Sequence, residues 1–262
     1  MTDAKDIAEK FTTARAAGRA LDAYPGTPPV TLEQAYAVQA AATARWPDPV
    51  AGWKVARVNP AFAAQFPEER LIGPAFARNV HHVDAGATAQ CPVFEGGFAA
   101  VEAEVVIVVA ADAPAGKSDW TADTVLPLVK SMHIGVEVAS SPLATLNDIG
   151  PGAVISDFGN NWGVVVGPEI ANWRELETLD VETFIDGQSV GTGKVAIKPG
   201  PLGALAFTLN KRAQQGATLK AGDVISTGMI TGVHDIRVGQ QSRHVFAGVG
   251  EVQVQITRAT AV

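Results

Sequence analysis

A single cysteine, Cys91, stands in 262 residues, so no intramolecular disulfide can form and a cysteine-based zinc site is excluded. No stretch reaches the ~18 uninterrupted apolar residues of a membrane span, so no membrane partner is expected. The 20 lysines and arginines form no run or stripe, and the net charge is −7, so nucleic acid has nothing basic to bind. Charged residues are scarce at 18% against 47% hydrophobic, a balance that excludes disorder as a global state and indicates a globular chain. The start, Met1-Thr2-Asp3-Ala4-Lys5-Asp6, lacks the apolar segment of an export signal. Together with the lone thiol, this predicts a reducing, cytoplasmic setting.

Against this background two acidic residues stand out. Glu102 and Glu104 open a strand that continues as Val105-Val106-Ile107-Val108-Val109. Residues i and i+2 of a strand point to one face, with Cα atoms roughly 6.8 Å apart. Two like charges in an apolar sheet are costly unless a cation or proton intervenes. Met132-His133-Ile134-Gly135-Val136-Glu137-Val138 also alternates as a strand, with Met132, Ile134, Val136 and Val138 on one face and His133, Gly135 and Glu137 on the other. Gly135 is expected to leave open space beside Glu137. Three carboxylates that converge favour Mg²⁺ or Mn²⁺ over zinc and leave about three octahedral positions for water or substrate. The competing reading puts Glu102 at a solvated strand end and pairs Glu137 with a nearby lysine. His133 is read as a satisfied core histidine, and His81 and His82 as part of a loop.

The remaining organisation is helices, strands, one helix, strands, which predicts an α+β fold. Helices are expected over residues 4–22 and 31–46, split by Tyr24-Pro25-Gly26-Thr27-Pro28-Pro29, and Thr31-Leu32-Glu33-Gln34 reads as a capping box. Residues 1–50 thus form an N-terminal helical segment, and residues 51–262 a β-rich catalytic domain, in one integrated unit. Asp186-Gly187 marks a hairpin turn. Residues 201–215 read as a helix with proline at its start and glycine past its end. Glu251-Val252-Gln253-Val254-Gln255-Ile256-Thr257 reads as a half-exposed antiparallel strand.

Several segments, taken in order, resemble the fumarylacetoacetate hydrolase superfamily, in its 2-keto-4-pentenoate hydratase and 2-oxo acid decarboxylase branch. They are Ala35-Tyr36-Ala37-Val38-Gln39, Gly52-Trp53-Lys54-Val55, Val101-Glu102-Ala103-Glu104, Gly135-Val136-Glu137-Val138, Asp157-Phe158-Gly159-Asn160-Asn161-Trp162-Gly163, Pro201-Leu202-Gly203-Ala204-Leu205-Ala206 and residues 219–228. The resemblance implies a mixed β-roll or barrel core with flanking helices. It implies Glu102, Glu104 and Glu137 as ligands of Mg²⁺ or Mn²⁺. Lys54 and Glu69 become the catalytic candidates, and Asn160, Thr227 and Arg57 the substrate-binding ones. Lys54 would hydrogen-bond a developing oxyanion, or shuttle a proton if burial lowers its pKa.

The implied activity is hydration of a 2-hydroxy-2,4-dienoate to a 4-hydroxy-2-oxo acid in aromatic catabolism. The alternatives are decarboxylation of a 2-oxo-3-enoate of the 4-oxalocrotonate type, or a non-catalytic oxo-acid-binding paralogue. A homo-oligomer is implied, or a complex with a hydratase or decarboxylase paralogue. Hydrolysis of acylpyruvates is disfavoured, because relatives that do it use an early histidine and all five histidines here come after residue 80. The chain departs from the branch pattern at three places. Leu71 replaces the second acid after Glu69; Ser140-Ser141-Pro142 follows the third glutamate; Ala56 and Arg57 follow the lysine.

Overall fold

Two helices open the described part of the chain, residues 4–261 of a computed structural model; residues 1–3, within the stretch read above for an export signal, and residue 262 lie outside it. Helix α1 (Ala4–Ala16) is shorter than expected. Gly18 adopts a φ of +61°, and the N–H groups of Gly18 and Arg19 donate to the Arg15 and Ala14 carbonyls, closing the helix with a left-handed turn. Helix α2 (Leu32–Arg45) starts at Thr31, whose hydroxyl accepts from the Gln34 N–H at 3.2 Å. The return bond of the expected box is displaced: Gln34 Oε1 accepts from the N–H of Val30, one residue beyond the cap. The apolar stripes of the two helices, Ile7, Ala8 and Phe11 with Ala35, Val38 and Ala42, meet in a core shared with Phe158 and Trp162.

The strands follow as β1 (Val50–Arg57), β2 (Arg70–Phe76), β3 (Val80–His82), β4 (Thr88–Val93), β5 (Phe98–Val109) and β6 (Val129–Ser141). His81 and His82 therefore lie in a short strand rather than the expected loop; β3 pairs in parallel with a valine-rich partner. Two short helices, α3 (Leu146–Ile149) and α4 (Pro151–Ser156), come next. They escaped the sequence reading because neither is long enough to show a helical period. Then come β7 (Asn161–Glu169), β8 (Thr178–Ile185), β9 (Gln188–Ala196), α5 (Gly200–Gln214), β10 (Val224–Ser226), β11 (His234–Asp235), β12 (Gln241–Phe246) and β13 (Gly250–Arg258). Asp186 and Gly187, both at positive φ, form the β8–β9 turn. The last strand alternates in burial as expected, but pairs antiparallel with β12 on one side and parallel with β4 on the other.

One sheet runs β2-β1-β10-β5-β6-β7-β3, with β11 added beside β5; the other runs β4-β13-β12-β8-β9. The odd residues of β5 and the even residues of β6, with Trp53, Val55 and Ile72, face the main core, which α5 and the second sheet close with Leu202, Leu205, Val252, Val254 and Ile256. The even residues of β5 and the odd residues of β6 face the other way. There Val106, Val164, Val166, Val224 and Ala75 form a smaller cluster. This second face carries the glutamates, and the whole is the α+β architecture that the element order predicted, with the curled sheets that the resemblance implied. Among the described residues no helix is long and apolar enough to cross a membrane.

Candidate metal centre

The β5–β6 register sets Glu102 directly opposite Glu137, and Glu104 opposite Gly135. One carboxylate oxygen from each glutamate lies within 4.8 Å of the others. All three are buried, at 5%, 0% and 0% exposure for Glu102, Glu104 and Glu137, so Glu102 is not at a solvated strand end. Glu137 does pair with a lysine, Lys54 Nζ at 3.3 Å, yet that uses only one of its oxygens. Gly135 leaves no open space beside Glu137. A Cβ there would lie 2.5 Å from Val106 Cγ2 and 2.6 Å from the Val165 carbonyl oxygen, so the glycine is required by close packing.

The hydrogen bonds orient the carboxylates and leave part of each unused. Glu104 Oε2 accepts from Ser226 Oγ at 2.5 Å and from the Gly228 N–H at 2.8 Å, while Glu137 Oε1 accepts from Asn161 Nδ2 at 3.0 Å. Glu104 Oε1 and Glu137 Oε2 are buried with no donor. Buried carboxylate oxygens without donors carry a large desolvation cost. Burial, then Glu137, pushes the Glu102 carboxyl up to about 7, with Lys54 acting against the rise. Glu104 is held well above the usual carboxylate range by burial, then by Glu137 and Glu102, against its bonds from Ser226 and Gly228. An all-oxygen acidic set with unpartnered oxygens fits a hard divalent cation, which would supply the missing positive charge.

Lys54 enters from β1, on the face opposite Trp53 and Val55. Burial alone would lower its pKa, as the residues suggested, but Glu137, Glu102 and Glu104 outweigh burial and the net shift is upward. Lys54 is therefore an ammonium, donating to Asn160 Oδ1 at 3.0 Å. Asn160 belongs to a run of three positive φ values, Phe158 at 57°, Gly159 at 67° and Asn160 at 58°. Left-handed backbone at a non-glycine residue costs about 1–3 kcal/mol and persists only where the surroundings enforce it. Gly73 on β2 is one such constraint: a Cβ on it would strike the Phe158 carbonyl. Arg15 of α1 is another. Its guanidinium grips Asp157 Oδ1 at 2.5 Å and Oδ2 at 2.9 Å just before the turn, and donates to the Asn161 carbonyl at 3.2 Å just after it.

The other candidate residues separate. Thr227 is buried, but its hydroxyl is consumed by the Val105 carbonyl at 2.7 Å; its neighbours Ser226 and Gly228 contact Glu104 instead. Arg57 is exposed at the end of β1 and, three residues from Lys54, belongs to the opposite strand face. The Glu69 side chain is 72% exposed and pairs with Arg70, away from the carboxylates. Its neighbour Glu68 is the more enclosed acid, held by Lys211 Nζ at 2.6 Å. Leu71 and Ala56 are register partners on the Lys54 face of the sheet, in the cluster that contains Val58, Phe66 and Phe158. His133 is half-buried, with both ring nitrogens engaged, by Ser131 Oγ and the Gly167 carbonyl, so it is satisfied without being a core histidine. Ser140 Oγ bridges the Phe94 N–H and the Phe98 carbonyl, a backbone role for that departure. Ser226, Asp157 and Arg15 were not among the sequence candidates. Asp157 opens the matched segment that ends at Gly163 and Ser226 lies in the one spanning residues 219–228, whereas nothing in the sequence pointed to Arg15.

No protein-family model matches the chain. Solved structures do match. 4-Oxalocrotonate decarboxylase from Pseudomonas putida G7, complexed with magnesium and adipate, superposes with a TM-score of 0.78 at 23% identity over 97% of each chain. Fumarylpyruvate hydrolase from Pseudomonas aeruginosa, in complex with Mn²⁺ and pyruvate, gives 0.58 at 18% identity over 80% of this chain and 91% of that one. 2-Hydroxyhepta-2,4-diene-1,7-dioate isomerase from Mycobacterium marinum gives 0.55 at 19% identity over 80% and 77%. These neighbours belong to the fumarylacetoacetate hydrolase superfamily, and the chain has their fold.

Proposed function

We propose that this chain is a divalent-metal-dependent enzyme acting on a 2-oxo acid, and that its reaction is decarboxylation of a 2-oxo-3-enoate of the 4-oxalocrotonate type. Glu102, Glu104 and Glu137 would hold Mg²⁺ or Mn²⁺, and the neighbours solved with magnesium or Mn²⁺ support that choice. The ion would act as a Lewis acid on the C1 carboxylate and C2 carbonyl of the substrate.

The observation that carries the choice of reaction is the apolar packing on the Lys54 face of the sheet. Ala56 and Leu71 pack there with Val58, Phe66 and Phe158 in one apolar cluster, and the catalytic candidate Glu69 is turned outward. Decarboxylation needs no activated water. The bond to the departing carboxylate breaks, CO₂ leaves, and the electron pair left on the carbon chain is quenched by a proton. Apolar surroundings would favour conversion of a departing carboxylate to neutral CO₂. Lys54, whose pKa the three glutamates raise in the metal-free protein, would donate a hydrogen bond where charge develops on oxygen and return a proton. Hydration, which the sequence resemblance puts first, requires in addition a base beside Lys54 to take a proton from water. Arg57 and Thr227 have no part in this reading. Its setting is cytoplasmic aromatic catabolism, in a homo-oligomer.

The test is to incubate the chain with Mg²⁺ and either 2-oxo-3-hexenedioate or 2-hydroxypenta-2,4-dienoate, following CO₂ release and loss of the dienoate ultraviolet band. CO₂ release from the first is expected, with Lys54→Met slowing it roughly 10²- to 10⁴-fold. Hydration of the dienoate without CO₂ release from the dioate would replace this reading with the hydratase. Metal binding without turnover of either would leave the non-catalytic paralogue.

A further inference from the structure

The buried Arg15 guanidinium is 142 residues from Asp157 in sequence, and it contacts neither a glutamate of the trio nor Lys54. Its donors go to both Asp157 carboxylate oxygens and to the carbonyls of Asp157, Asn161 and Ser140, at 2.5–3.2 Å. Phe94, Phe158 and Trp162 surround it, their ring centroids 5.1–5.5 Å from the guanidinium carbon. A charged fork in an aromatic box is an expensive way to anchor a helix that already buries Ile7 and Phe11. What the fork holds is the segment running Asp157-Phe158-Gly159-Asn160-Asn161. The two ends of that segment are gripped by Arg15, and its last two side chains hold Lys54 and Glu137.

We propose that Arg15 is a positioning residue for the metal centre: the N-terminal helix clamps the left-handed turn, and the turn fixes Asn160 on Lys54 and Asn161 on Glu137. The proposal rests on the reading that the three glutamates bind a divalent ion. The fork geometry is what matters. Five donors in a plane reach both ends of the turn at once, whereas a lysine ammonium in the same place reaches one.

The test is Mn²⁺ affinity, measured by electron paramagnetic resonance titration of the full chain. Arg15→Lys is expected to weaken Mn²⁺ binding about tenfold, the lower end of the cost of losing a partner that orients a ligand. Arg15→Ala should weaken it at least as much and recover on addition of methylguanidinium, which can refill the aromatic box. Leu179→Ala, in the second sheet, lowers thermal stability without touching the turn and should keep wild-type affinity. Should Arg15→Ala fail to fold, Asp157→Asn replaces it, with the same weakening expected. Wild-type affinity in Arg15→Lys and in Arg15→Ala or its replacement overturns the clamp alone. Affinity lost equally in Leu179→Ala also overturns it, because the effect is then one of general stability. Failure of the wild-type chain to bind Mn²⁺ overturns the metal reading and the clamp with it.

Discussion

Glu102→Gln separates the cost of the carboxylate cluster from its use. In the metal-free protein the Glu102 carboxyl is raised to about 7 from an ordinary 4.5. Its folded pKa lies above its unfolded one. The folded chain therefore gains its full advantage from protonated Glu102 below pH 4.5 and loses it as pH rises through 7. At 1.36 kcal/mol per pKa unit the loss is about 3 kcal/mol. For a chain of this size that corresponds to roughly 6–12 °C in Tm. Glutamine removes the titration but leaves a neutral amide of similar size, so any fixed packing cost is independent of pH. The assay is thermal unfolding of wild type and variant in chelator from pH 4.5 to 8.5. The variant's Tm relative to wild type should climb across this range by the amount above. With Mg²⁺ at about a hundred times its dissociation constant, wild type gains about 2.7 kcal/mol at pH 8 and the ranking narrows or reverses, because the variant has lost a ligand. At pH 5 the gain should shrink, since the ion must displace protons. A Tm difference that stays flat with pH in chelator would refute the burial and charge argument for this cluster.

Two other perturbations probe the frame around the centre. Gly73→Ala drives a methyl group into the Phe158 carbonyl; it should cost about 1–3 kcal/mol by denaturant unfolding and weaken metal binding by displacing Asn160, whereas a neutral result would mean the turn is free to move. His244 is fully buried, between Thr183 Oγ1 and Ser242 Oγ, and burial pushes its pKa down to about 3. A depressed histidine contributes stability above its unfolded value near 6.5 and loses it as pH falls toward 3, by up to about 4–5 kcal/mol. His244→Gln should therefore flatten the acid limb of the stability profile between pH 6.5 and 3, and an unchanged limb would show that the imidazole is solvated in the fold.

How much could be read in advance follows the range of the interaction. The alternation of β5 and β6 is local, so Glu102, Glu104 and Glu137 could be placed on common faces from period alone. The Thr31 cap, the Asp186-Gly187 turn and the α5 helix were legible for the same reason. The same alternation could also have assigned Arg57 to the face opposite Lys54, three residues away in β1. Glu69 was harder. It stands at the end of a connecting loop, where no period says which of two adjacent acids turns inward, and packing chose Glu68. The open space expected at Gly135 failed because Val106, on a neighbouring strand, fills it.

By itself, then, the sequence determined that Glu102 and Glu104 share one strand face and that Glu137 lies on a second alternating strand, while the family resemblance added the lysine strand and the polar turn. Backbone periodicity suffices for the strand faces, and the order of motifs along the chain for the rest. Only the tertiary structure decided that Glu102 faces Glu137, that Ser226 and Gly228 rather than Thr227 hold Glu104, and that Lys54 stays charged. It also decided that Arg15, at the far end of the chain, clamps the turn. The physical reason is that strand register, the net charge around a buried amine and the contacts of a guanidinium all depend on groups distant in sequence. Each is settled only when the packed sheet brings those groups within a few ångströms.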